Sequence, residues 1–159
     1  MRRITVLLAI VFAAVFGAAA MVSDASAIGS SDPPPRSVKK DFENGKRAIY
    51  EARYDAGIRL MAEVLKAQPD NADAHNYMGF AHRKKGDLKR AARSYRIALR
   101  IKPNHKGALE YQGEMFLKMN DLKSARANLA KLVRLCPSGC KERAELERAI
   151  NDFLATQTN

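Results

Sequence analysis

The sequence predicts an all-α solenoid of three helix-turn-helix repeats closed by a C-terminal capping helix. Three observations carry this. Prolines stand at Pro69, Pro103 and Pro137, and glycines at Gly45, Gly79 and Gly113, each set at a step of 34 residues. The columns Tyr54, Leu88, Leu122 and Gly57, Ala91, Ala125 keep the same step. Within each unit apolar residues recur at intervals of three and four, the period of a helix with one buried face.

The elements follow in chain order. Arg2 and Arg3 precede an uncharged run from Ile4 to Val22, and Ala25-Ser26-Ala27 follows it. A charged start, an apolar stretch and small residues at the exit form a secretory leader, with cleavage expected after Ala27. The rival is an uncleaved anchor, since the run is just long enough to span a bilayer core. Residues 28–37 contain Pro33-Pro34-Pro35 and read as an extended linker. Repeats are expected at 38–71, 72–105 and 106–139, and a cap at 140–155.

In the second unit Ala74, Met78, Ala81 and His82 share one helix face. Gly86-Asp87 breaks the chain, and Leu88, Ala91, Ala92, Tyr95, Ala98 and Leu99 form a second stripe. Pro103 cannot continue that helix. Gly79 and Ala91 are small enough to let two antiparallel helices approach closely. Past the third unit, Leu146, Ala149, Ile150, Phe153 and Leu154 make one more amphipathic stripe, with mixed charges opposite. A solenoid needs such a terminal element with a polar outer face.

Met78-Gly79, Ala91, Tyr95, Ala98 and Pro103 in the second unit resemble the tetratricopeptide repeat (TPR) family. Gly113, Phe116, Ala125, Leu129 and Pro137 in the third do too. The first unit is weaker: it keeps Gly45, Tyr54, Met61 and Pro69 but has Gly57 where the family has Ala. His75 and His82 stand at positions that are often Trp and Tyr. The resemblance covers about residues 38–139. It implies a concave groove, lined by the first helix of each repeat, that holds a protein or peptide. Phe42, Lys46, Ile49 and Tyr50 would line it in the first unit. Asn76, Phe80, Arg83 and Lys84 would do so in the second, and Glu110, Glu114, Leu117 and Lys118 in the third. Phe42, Tyr77 and Gly107 do not match the pattern with which some TPR domains clamp a C-terminal carboxylate, so no such clamp is expected.

The chain carries 28 basic and 17 acidic residues, a formal net charge of +11. That balance favours anionic partners, so a protein or peptide of acidic character is expected. Lys89, Arg93, Arg96 and Arg100 recur at helical spacing. They read either as a solvated convex face or as an anion-binding surface for lipid headgroups or an acidic polymer. Nucleic acid is not expected, because no aromatics interleave with that stripe for base stacking.

Cys136 and Cys140 are expected to pair in an oxidising compartment and to tie the cap to the last repeat. Thiol redox work or copper capture are the rivals. C-x-x-C is the usual redox spacing, and no histidine lies nearby in sequence. The three histidines are scattered and read as packing residues. No nucleotide, haem, hydrolase or metalloprotease motif occurs. No cofactor, metal or catalytic residue is therefore expected. By its leader the sequence reads as an exported interaction module, expected in the periplasm, and not as an enzyme.

Overall fold

The computed structural model describes residues 37–157. The expected leader and all of the expected linker except Ser37 lie outside the described residues. Seven helices run in order among those described: α1 (Val38–Tyr50), α2 (Tyr54–Ala67), α3 (Ala72–Lys84), α4 (Leu88–Ile101), α5 (Lys106–Lys118), α6 (Leu122–Leu135) and α7 (Lys141–Gln157). None of them is long and apolar enough to cross a membrane.

The 34-residue step governs the caps as well as the core. Ser37, Asn71 and His105 are the N-caps of α1, α3 and α5, and each side chain accepts a hydrogen bond from the backbone N–H three residues on. These bonds satisfy donors that a helix start leaves free. Asp87 and Asp121 cap α4 and α6 in the same way, whereas Arg53, at the matching place before α2, makes no such bond. The turn inside each repeat uses one left-handed residue: Ala52 at φ 58°, Gly86 at φ 81° and Asn120 at φ 59°. Only the second repeat supplies the glycine that this backbone favours.

Each repeat is an antiparallel pair, α1 with α2, α3 with α4 and α5 with α6. Successive first helices also touch: α1 meets α3, α3 meets α5, and α5 meets α7. The second helices α2, α4 and α6 do not touch one another. The stack therefore curves toward the first-helix side, which is concave. α7 takes the place of a fourth first helix and buries Leu146 and Ile150.

The core runs from repeat to repeat, as a solenoid requires. Ile49, Met61 and Val64 of the first repeat pack with Ala74 and Ala81 of the second. Ala91 and Tyr95 pack with Met115 of the third. Leu109, Leu117, Ala125 and Leu132 pack with Leu146 and Ile150 of the cap. The glycine column sets the helix spacing. A Cβ on Gly79 would lie 2.6 Å from the Tyr95 ring, and one on Gly113 would lie 2.6 Å from both methyls of Leu146.

The cap joins the last repeat through a short link. Cys136 is the C-cap of α6 and Cys140 directly precedes α7. The two sulfurs lie at disulfide distance, with Cα atoms 5.9 Å apart.

Candidate functional site: the concave groove

The concave face carries a track of aromatic rings that crosses all three repeats. Phe42 of α1 meets Tyr77 of α3 edge-on at 5.8 Å, and Tyr50 meets Tyr77 at 6.0 Å. Tyr50 also meets Phe80 at 6.3 Å, and Phe80 meets Tyr111 of α5 at 4.8 Å. Such tilted and edge-on contacts match the ring quadrupoles. Burial, followed by the neighbouring Tyr50 hydroxyl, raises the Tyr77 phenol pKa, so Tyr77 stays uncharged at ordinary pH. Tyr50 remains 58% exposed.

Cations flank the rings. The Arg83 guanidinium carbon lies 5.3 Å from the Phe80 centroid and 5.5 Å from that of Tyr111, and the Lys84 ammonium lies 5.4 Å from Phe80. At one end, a cavity of about 410 Å³ is lined by Glu43, Lys46, Arg47, Tyr50 and Glu51. At the other, where α5 meets α7, a cavity of about 370 Å³ is lined by Arg83, Glu114, Leu117, Lys118 and residues of the cap that include Phe153. This layout offers apolar anchorage with charged groups at both ends.

The sequence profile of the tetratricopeptide repeat family matches residues 42–106 and 78–139. The chain belongs to that family. No curated protein matches it significantly. Among solved structures, the first TPR of Spaghetti (RPAP3) bound to the HSP90 peptide SRMEEVD is similar at 19% identity and TM-score 0.64. That match covers 74% of this chain and 93% of the other. The first TPR domain of human RPAP3 matches at 20% identity and TM-score 0.66, covering 77% of this chain and 95% of the other. The Sgt2 TPR domain from Aspergillus fumigatus matches at 20% and 0.66, covering 76% and 79%.

Of the residues expected in this TPR groove, Phe42, Lys46, Tyr50, Phe80 and Lys84 reach the track or its cavities with some surface exposed. The expectation of open groove residues needs correction at five others. Ile49 is 1% exposed, because it packs into the core with Met61, Val64, Ala74 and Ala81. Arg83 is 3% exposed, because it is pressed between two rings and ion-paired with Glu114. Asn76 is 4% exposed, its amide nitrogen lying 3.5 Å from where a Cβ on Gly107 of the next repeat would sit. Leu117 belongs to the core. Glu110 is 6% exposed. Its pKa rises to about 8, first through desolvation and then through the nearby charges of Glu114, Glu142 and Glu145, against the opposing pull of Arg83. Glu114 stays partly exposed.

Tyr77 and Tyr111 were not singled out as groove residues in the sequence, yet they hold the centre of the track. Their signal was the 34-residue step between them. His105 is more than a packing residue: it caps α5, and its Nε2 lies 2.9 Å from an Asp73 oxygen. His75 sits against the Pro69 carbonyl at 3.0 Å, and His82 is buried, desolvation lowering its pKa. Lys89, Arg93, Arg96 and Arg100 are all exposed on α4, away from the groove.

Proposed function

We propose that the chain is an extracytoplasmic interaction module that holds a segment of another protein in its concave groove. The observation that carries this is the aromatic track from Phe42 to Tyr111, with Tyr50 mostly exposed at its α1 end. An aromatic with a cation beside it is the residue pairing that most often dominates interfaces. Lys84 and Lys118 recur at the repeat step, and Lys46 lies beside Tyr50. A partner segment with carboxylates beside an apolar side chain suits that arrangement. The HSP90 peptide held by one structural neighbour has the same character. No catalytic role, cofactor or metal is proposed.

The export reading rests on the leader alone. Sequencing the N-terminus of the secreted form should give Ile28 as the first residue; an intact Met1 in a membrane fraction would favour the anchor.

The groove reading is tested by a photo-crosslinking residue placed at position 50 in the living cell. It should trap one dominant partner, and the trapped product should fall sharply in the Lys84→Ala background. Tyr50 suits this test because its exposure lets it be replaced without disturbing the core. Crosslinks spread over many proteins, or a capture that Lys84→Ala leaves unchanged, would count against a groove ligand.

A further inference from the structure

Charge is not spread evenly over the helices. Residues 37–157 carry 25 basic and 15 acidic side chains. Nine of the basic ones lie on α4 and α6, and no acidic one does. They are Lys89, Arg90, Arg93, Arg96 and Arg100 on α4, then Lys123, Arg126, Lys131 and Arg134 on α6, and all nine are exposed. Each of the other five helices mixes both signs. Only Arg90, paired with Asp87 at 3.3 Å, has an ion-pair partner among the described residues. Of the sixteen basic side chains elsewhere among the described residues, six have one: Arg53, Lys66, Arg83, Lys85, Arg143 and Arg148. A solvated helix face ordinarily carries interspersed signs, because like charges at helical spacing repel. These two do not, and both lie on the convex side of the stack.

We infer that α4 and α6 together bind a linear phosphate polymer on the convex face, independently of the groove. Six of the nine cations are arginines, whose planar fork places two N–H donors on phosphate oxygens. The Lys89–Arg100 stripe spans about 16 Å of helix axis, which lets several phosphates of one chain be met at once. A membrane surface fits less well. Peripheral helices that lie on bilayers present large apolar residues beside their cations. Here α4 exposes none and α6 only Val133. Base stacking has no platform either, since the single aromatic of the two helices, Tyr95, is fully buried.

The test is fluorescence anisotropy of the full chain with labelled long-chain polyphosphate across a salt series. Binding should weaken steeply with salt. The variant K89Q/R93Q/R96Q/R100Q should lose about tenfold in affinity at low salt and show a shallower salt slope, as expected when phosphate contacts are removed. The α6 set K123Q/R126Q/K131Q/R134Q should do the same, and it stands in if the α4 set fails to fold. The control K39Q/K40Q/K66Q/K141Q makes the same change in net charge on other helices and should lose less than about twofold near 0.15 M ionic strength, where screening cuts distant influence to about 8 Å. An equal loss in the control would reduce the effect to net charge and overturn the proposal. So would tighter binding to phosphatidylglycerol vesicles or to polyglutamate than to polyphosphate, or no binding at low salt.

Discussion

Arg83 of α3 is clasped against Glu114 of α5 on one side and against the rings of Phe80 and Tyr111 on the other. This joins the second and third repeats beneath the groove. The two partners are unequal: the Arg83 side chain is 2% exposed and that of Glu114 27%. Removing the carboxylate leaves a cation with no water to turn to, whereas removing the cation leaves a carboxylate that water still reaches. Glu114→Ala should therefore destabilise by about 2–4 kcal/mol. Arg83→Met, which keeps most of the buried volume, should cost clearly less. Thermal melts of both variants decide the order, and an equal or larger loss in Arg83→Met would refute it.

Glu110 gives the fold a pH dependence. Its pKa rises from 4.5 to about 8 in the folded chain. Between those values the native state holds a proton that the unfolded state has released. Stability therefore falls as pH rises through that window and levels off above it. Glu110→Gln mimics the protonated form. It should melt like the parent near pH 4.5 and higher than the parent at pH 8, with the gap opening between. Melting curves at several pH values check this. A gap that is constant with pH would mean that Glu110 ionises normally.

The turn column predicts a stabilising change. Ala52 adopts the left-handed backbone that Gly86 occupies one repeat later. An L-residue with a Cβ is strained there by about 1–2 kcal/mol, part of which glycine returns through its looser unfolded chain. Ala52→Gly should stabilise by about 0.5–1 kcal/mol, read as a higher midpoint in urea. A lower midpoint would show that the turn does not bear that strain.

The repeat step made most of the fold legible, because solenoid packing reuses one geometry. Gly79 and Ala91 were readable as close-approach positions, since small residues at a fixed interval mark where helices meet. The groove was only partly legible. Phe80 and Tyr50 could be placed by position, but the fate of Arg83 could not. Which cation is swallowed depends on the carboxylate one repeat away, and a single helix pattern does not contain that neighbour. Tyr77 and Tyr111 form a column of the same period, but the first repeat has Glu43 at that place, so the aromatic signal is weaker than that of the small-residue columns. His105 was missed as a cap because the column Ser37, Asn71, His105 changes residue type while keeping its role.

The glycine column separates positions that look equivalent in sequence. Gly45, Gly79 and Gly113 share one place in the repeat, yet each faces a different neighbour. At Gly79 a Cβ would lie 2.6 to 2.9 Å from three atoms of the Tyr95 ring. That ring is rigid and fully buried against Ala91 and Met115, so it has nowhere to move. At Gly45 the nearest atoms are the terminal methyl of Met61, at 3.0 Å, and the Cβ of Leu60, at 3.1 Å. The methyl ends a flexible chain that can turn aside, and the Leu60 contact asks only a few tenths of an ångström of the helix pair, far less than the ring at Gly79. Alanine also favours a helix over glycine by about 1 kcal/mol. At Gly79 overpacking should outweigh this gain, for a net loss of about 1–2 kcal/mol. At Gly45 the two effects should nearly cancel or leave a small gain. Gly113 faces the branched end of Leu146, which is softer than a ring but fixed in the cap core, so its loss should fall between the two. Denaturant titrations of the three alanine variants give the order directly. If Gly45→Ala proved the most damaging, the side chain facing each glycine would not be what sets the cost at this column.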